Sequence, residues 1–284
     1  MIIVADSGST KTVWYYSSPK FKGTIQTSGL HPDNLDSFSP NDYEQIITLM
    51  NKSGKLFFYG SGCATKARQE TTFHWLKERF PLFDIIVQSD LIASGLALYG
   101  SQQGIVGILG TGASMAVWKD QTMKMPIPSL GWAMGDEGSG VDIANRFFRN
   151  WYSGKFPDSL VKLLDSNDNL PNAIDLINDV YNSKQPNKKI ASFCNEISKL
   201  TTFDSVRRLV QQAFHDYFDY YGNLLLSNKE LPIAFTGGVA GGFKPILIAV
   251  AKARGYDIFS IIENPIKKLA AYHIANYSDL SNSF

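Results

Sequence analysis

Residues 2–16 and 104–118 repeat one pattern, and that repeat limits the fold more than any other feature of the chain. Each copy begins with an apolar run, Ile2-Ile3-Val4-Ala5 or Ile105–Leu109, that reads as a strand. Each then passes through a turn of glycine and hydroxyl residues, "DSGSTKT" (6–12) or "GTGAS" (110–114). A second strand follows, Val13–Tyr16 or Met115–Trp118. Gly8 and Gly110 are about 100 residues apart, close to one domain length. Glycine is common in hairpin turns, so two such turns can arise independently. The hydroxyls that both turns carry favour duplication of one domain.

The remaining segments alternate strand and helix. In the first part, 21–27, 56–59 and 85–88 read as strands, and 43–51, 66–79 and 91–99 as helices. Residues 28–41, rich in Ser, Pro, Asn and Asp, read as a loop. The second part is mostly helical, with helices over 141–151 and 205–226. It closes with a strand at 232–235, a turn at "TGGVAGG" (236–242), a helix at 244–253, a strand at 258–262 and a helix at 266–277. The 205–226 segment puts Val206, Leu209, Val210, Ala213, Phe214, Tyr217, Phe218 and Tyr221 on one stripe, which reads as core rather than a dimer seam. The expectation is an α/β fold of two similar lobes, 1–103 and 104–284. The closing helix, from about 266, is free to pack back on the first lobe.

Composition removes several functions. The 284 residues, 44% hydrophobic and 19% charged, suffice for two buried cores. With 27 basic and 26 acidic residues the net charge is +1 and no polybasic block appears, so nucleic acid is not an expected partner. Cys63 and Cys194 form no C-x-x-C pair, which speaks against a cysteine-held zinc or iron–sulfur site. His31, His74, His215 and His273 form no close-spaced metal pair. No apolar run reaches the length of a membrane span, and Asp6 comes too early for a signal-peptide core. A soluble cytoplasmic protein with no membrane partner is expected.

The turn at 6–12 is no P-loop, because Thr10 stands where glycine must precede Lys11, and the segment beyond it reads as a strand, not a helix. Successive backbone N–H groups in such a turn still form a nest for anions. Ser7, Ser9, Thr10 and Thr12 add hydroxyls, and Lys11 adds charge. Asp6 would repel a phosphate unless Mg²⁺ lay between them. A polar hairpin with Asp6 bonding its own turn is the plainer reading. The turn at 110–114 offers a second nest, with Thr111 and Ser114 as donors. "TGGVAGG" fails the dinucleotide fingerprint and fits a backbone platform for an adenosine, or simple packing of helix on strand. Asp90 reads either as an N-cap or as a carboxylate at the ligand-binding edge of a sheet. Asp136 and Glu137, in "GDEGSG" (135–140), carry the same two readings.

In order the chain reads D-S-G-S-T-K-T, S-D before a helix, G-T-G, G-W-x-M-G-D-E-G-S-G and G-G-V-A-G-G. This set resembles the N-acetylglucosamine kinase and BadF/BadG ATPase family of the actin, hexokinase and Hsp70 superfamily. The resemblance runs from Asp6 to the Pro265-Ile266…Leu269…Tyr272-His273 ending, and "GWAMGDEGSG" is its most specific stretch. It implies two ribonuclease H-like lobes around a central ATP and sugar cleft, with one phosphate-holding hairpin per lobe. It assigns Gly8, Ser9, Thr10 and Lys11 to the first phosphate loop, Gly110, Thr111 and Gly112 to the second, and Gly237, Gly238 and Val239 to the adenosine loop. Asp6 would help hold Mg²⁺, Asp90 would be the catalytic aspartate, and Asp136, with Glu137, would bind sugar hydroxyls. The chain departs from the family at His31-Pro32, where Asn-Pro or Asn-His is usual, at Ala113 and Ser114, where Ser and Asn are usual, and at Lys268, where glycine is usual. His31 and Ser114 therefore bear on the choice of sugar.

The implied activity is ATP-dependent phosphorylation of N-acetylglucosamine or a related amino sugar at its 6-hydroxyl. Two alternatives stay open: a BadF-type ATPase that activates another enzyme, and a non-catalytic sugar or nucleotide sensor. Whether the chain pairs as a homodimer is also left open.

Overall fold

The computed structural model describes residues 1–8 and 11–278. The chain divides into two compact units, one of residues 1–102, 119–123 and the segment from Pro265, the other of residues 103–118 and 124–264. Among the described residues no helix is long and apolar enough to cross a membrane.

The first unit holds strands β1 (Ile2–Ser7), β2 (Lys11–Ser17), β3 (Lys22–Ser28), β4 (Gly54–Gly60) and β5 (Phe83–Ser89) in the order β3-β2-β1-β4-β5. β1, β2 and β3 form an antiparallel meander, while β4 and β5 run parallel to β1. A parallel neighbour needs a crossover, supplied by helices α1 (Pro40–Met50) and α2 (Lys66–Arg79). Ile3, Val4 and Ala5 are fully buried, so the strand shows an unbroken apolar run in place of alternation. Ile3 and Ala5 join a core with Trp14, Leu56, Phe58 and Leu76. The last helix of the chain, Ile266–Ser278, packs against β1, β2 and helix α3 (Asp90–Tyr99). From it His273 stacks on Phe57 at 3.7 Å and bonds Tyr59 Oη through Nε2 at 2.7 Å.

The stretch 28–41 is more ordered than its composition predicts. It contains a 3₁₀ turn at Pro32–Ser37, and α1 starts at Pro40 rather than at 43. The reason is a capping box: the Ser39 hydroxyl accepts from Asp42 N–H, and the Asp42 carboxylate accepts from Ser39 N–H at 2.9 Å.

The second unit repeats the sheet. Its strands β6 (Gly104–Leu109), β7 (Ala113–Lys119), β8 (Thr122–Lys124), β9 (Ile233–Thr236) and β10 (Ile258–Ile262) lie in the order β10-β9-β6-β7-β8. Strand for strand this is the first sheet again, with β7 antiparallel to β6, and β9 and β10 parallel to it. Between β8 and β9 the chain inserts α4 (Gly140–Tyr152), α5 (Asp158–Asp165), α6 (Ala173–Tyr181), α7 (Pro186–Ser192), α8 (Cys194–Lys199), α9 (Asp204–Tyr220) and α10 (Gly222–Ser227). The single helix expected over 205–226 is thus two, parted at Tyr221 just before the weak helix former Gly222. The α9 stripe from Val206 to Phe218 is buried core. "TGGVAGG" holds a short helix, α11 (Gly238–Gly242), in place of a plain turn, followed by α12 (Lys244–Ala253); the closing helix is α13.

The base of the first hairpin corrects one expectation. Ser7 and Thr12 are fully buried, their hydroxyls 2.7 Å apart. Ser7 Oγ also meets Leu30 N–H and Leu30 O, each at 3.0 Å, and Thr12 Oγ1 donates to Ser28 O at 3.1 Å. These hydroxyls anchor the 28–31 segment and are not available to a ligand. Ser7→Ala should therefore cost about 1–3 kcal/mol in urea unfolding, with an unchanged m-value, because it leaves buried backbone groups of Leu30 under-satisfied. A loss below the error of the measurement would show that the network is dispensable.

Candidate active site

In the first unit two carboxylates stand at the carboxyl ends of parallel strands, the edge where open α/β sheets bind ligands. Asp6 is the penultimate residue of β1 and pairs with Tyr59 of β4, which in turn pairs with Gln88 of β5. Asp90 lies two residues beyond Gln88, at the first position of α3. The N-cap of α3 is Ser89, so Asp90 is not the cap residue; its carboxylate accepts from its own and the Leu91 N–H. Burial raises the proton affinity of Asp90 despite those donors. Asp6 is pushed up to about 7, first by burial, then by the charge of Asp90, with exposed Lys11 pulling the other way.

Gly8 N–H donates to Lys11 O at 3.0 Å and ties the two strands at the hairpin end. Ser9 and Thr10, expected in the first phosphate loop, lie outside the described residues. His31 caps the 3₁₀ turn, its Nδ1 accepting from Asp33 N–H at 3.3 Å. Its ring lies over Gly62, where a Cβ would come within 2.4 Å of Nε2.

In the second unit the expected residues gather around one turn. Gly110 N–H donates to Gly112 O at 3.0 Å, closing a tight connection between β6 and β7. The carbonyls of Gly110 and Thr111 accept from Gly140 and Val141 N–H at 2.8 and 3.4 Å, so they cap the start of α4. Among the described residues the N–H groups of Thr111 and Gly112 have no hydrogen-bond acceptor. Two free adjacent amides make an anion nest. Gly237 adjoins it: at φ +115° a Cβ there would lie 2.2 Å from Leu109 O, so only glycine fits. Gly238 is exposed beside it, and the Val239 side chain is buried in the core, which leaves only its backbone for a ligand.

Asp136 lies against the same turn. A Cβ on Gly112, which has no positive φ, would come within 2.6 Å of Asp136 Oδ2, so a side chain there must displace that carboxylate. Asp136 itself holds φ +61°, a left-handed conformation that outside glycine is adopted mainly by asparagine, aspartate and histidine. Ser129 Oγ donates to its Oδ1 at 2.6 Å, and Ala113 and Gly131 N–H also donate. Burial outweighs these donors and raises its proton affinity. Three donors leave room for one more on a carboxylate. Glu137 is half-buried, and Ser114 is buried in β7, its carbonyl accepting from Tyr217 Oη at 2.8 Å. Ser129 escaped the sequence reading, because a lone hydroxyl before a glycine-rich loop carries no pattern.

No family model matches the chain, and no curated protein sequence matches it. Solved structures do. A provisionally named N-acetylglucosamine kinase from Porphyromonas gingivalis is 31% identical, covers 98% of this chain and 100% of its own, and superposes with a TM-score of 0.88. The chain belongs to that protein's family, the actin-like sugar kinases. The same fold, at 15% identity and a TM-score of 0.67, is that of a provisionally named N-acetylglucosamine kinase from Chromobacterium violaceum, over 95% of this chain and 98% of that one. A ROK-family glucokinase from Streptomyces griseus, solved with glucose and AMPPNP, shares it at 11% identity and a TM-score of 0.56, over 95% and 97%.

In this sugar kinase the Asp6–Asp90 pair makes stability depend on pH. A carboxyl whose folded pKa exceeds its unfolded value contributes stability that is full below about pH 4 and is lost as pH rises through about 7. Without nucleotide or divalent cation, the melting temperature of Asp6→Asn relative to wild type should therefore rise between pH 5 and pH 8. Parallel melting curves across that range would contradict a buried, coupled pair.

Proposed function

We propose that the protein transfers the γ-phosphoryl group of ATP to N-acetylglucosamine or a related amino sugar, at the 6-hydroxyl. The observation that carries this reading is the joining of two complementary features in the second unit. The Gly110–Gly112 turn presents free amides suited to phosphate oxygens, and the Asp136 carboxylate resting on Gly112 keeps one acceptor position for a hydroxyl. The 31% identical relative, provisionally named an N-acetylglucosamine kinase, supports the choice of sugar.

Phosphoryl transfer has a loose transition state, so positioning and electrostatics supply most of the catalysis. Thr111 and Gly112 N–H would bind non-bridging phosphate oxygens, and the backbone of Gly237, Gly238 and Val239 would support the adenosine. Gly8, Ser9, Thr10 and Lys11 would form the first phosphate loop. Asp90 is the proposed base: burial raises its affinity for the proton of the attacking hydroxyl, and two backbone N–H groups fix its orientation. Asp6 and Asp90 form a pair of hard oxygen donors short of positive charge, which suits Mg²⁺, an ion usually held by one or two carboxylates together with substrate phosphates. Asp6 would hold the ion, which supplies charge neutralisation to the phosphates. Asp136, Glu137, Ser114 and His31 would read the sugar.

Coupled ADP release is expected to require the amino sugar; sugar-independent release at the same rate would favour a BadF-type ATPase instead. Asp90→Asn should lower kcat about 10²-fold or more while shifting stability by less than about 1 kcal/mol. Wild-type turnover in that variant removes Asp90 from the chemistry. Asp136→Ala should raise the amino-sugar KM roughly 10- to 100-fold, the loss of one charge-assisted hydrogen bond, and leave nucleotide affinity within about threefold. Calorimetric titration with each ligand separates these effects, and loss of nucleotide binding alone would move Asp136 to the phosphate site.

A further inference from the structure

A second polar cavity, of about 370 Å³, lies in the second unit away from the Gly110–Gly112 turn. Arg146 and Asn150, one helical turn apart on α4, form one wall. Lys155 from the following loop closes an end, and Ser205, Arg208 and Gln212 line the facing side of α9. The two helices are held together here by Arg146, whose Nε pairs with Asp142 and whose second amino group pairs with Asp216, each at 2.7 Å.

The charge around this cavity is unbalanced. Both acids are already engaged by Arg146 and by a second donor: Asp142 accepts from Gly138 N–H at 2.9 Å, and Asp216 from Gln212 Nε2 at 2.8 Å. Asp204, at the start of α9, is taken by Arg207. Lys155 and Arg208 have no ion pair and no side-chain hydrogen bond among the described residues. Ser205 adds an independent sign. Its hydroxyl is buried and has no partner, and such a group costs free energy unless something bonds it.

We propose that this cavity binds a small phosphorylated metabolite through its phosphate group. A phosphate monoester brings nearly two negative charges and three acceptor oxygens. Arg208 offers a planar fork, Lys155 a point charge, and Ser205 a single hydroxyl donor, a set that matches several oxygens approached from different sides. The volume lies at the small end of ligand pockets, which suits a monosaccharide-sized body rather than a dinucleotide. The site takes no part in the phosphoryl transfer proposed above and stands whether or not that reading holds.

The test is calorimetric titration of inorganic phosphate and of glucose 6-phosphate into wild type, Lys155→Gln/Arg208→Gln and Ser205→Ala. Lys155 and Arg208 are exposed, so the double variant should fold and keep its sugar-dependent ADP release. The expected result is a binding step at least tenfold weaker in the double variant and about threefold weaker in Ser205→Ala. Tighter binding of the ester than of inorganic phosphate at this step would assign the rest of the cavity to the organic body. Equal affinity for both would assign recognition to the phosphate alone. The proposal is overturned if wild type shows no step that the double substitution weakens.

Discussion

The hydrogen bond from Gly140 N–H to Gly110 O, 2.8 Å long, sets much of the geometry of the second unit. A helix begins with unsatisfied N–H groups, and here the β6–β7 turn satisfies two of those of α4. The consequence is crowding. A Cβ on Gly140 would sit tightly at 3.0 Å from Ala191 Cβ and 3.1 Å from Gly110 O, and one on Gly237 would clash with Leu109 O. A further consequence is chemical. Because the turn carbonyls occupy the start of α4, that helix N-terminus cannot serve as a phosphate site. The amides of the turn itself, at Thr111 and Gly112, are the donors that remain free. This is how a hairpin, with no helix of its own to open, can still present an anion nest.

The first unit secures the equivalent hairpin by different means. Among the described residues, the buried hydroxyls of Ser7 and Thr12 clamp the segment around Leu30. That clamp fixes the chain immediately before His31, whose ring then rests on Gly62. The two sheets keep one strand order, while each turn is held differently. The difference has a physical basis. Hydroxyl pairs satisfy nearby backbone within a sheet, whereas a helix start must find acceptors outside itself.

Much of this was legible in the sequence. The apolar runs at 2–5 and 105–109 gave the central strands, because strands buried on both faces show no alternation. Asp6, Asp90, Gly110, Gly112 and Gly237 were all visible as glycine or acid at strand ends, and Asp136 as an acid in a glycine-rich loop before a helix. What could not be read was which contact each answers to. Gly112 has no positive φ; a Cβ there would crowd the Asp136 carboxylate. Ser7 and Thr12 looked like ligand donors and are internal braces, since a hydroxyl has no sequence mark for the side it faces. The inserted helices α5–α8 are short, and α6 has no fully buried residue, so their periodicity is weak.

The carboxylates themselves fall into two groups by the direction of their shifts. Asp42 is a structural one: despite burial, donors from Ser28 and Ser39 hold its pKa below the ordinary range, so its ionised form stabilises the fold. Asp6, Asp90 and Asp136 are shifted the other way, with burial dominant at each. A capping role for Asp90 would produce the Asp42 pattern, because a cap is useful to the extent that it stabilises the charge. At neutral pH the opposite shift makes ionised Asp90 and Asp136 costly to the folded state, and Asp136 adds a left-handed backbone to that cost. Residues that weaken the fold in its free form, yet sit at strand ends and against a glycine turn, are the ones the proposed function assigns to ligands.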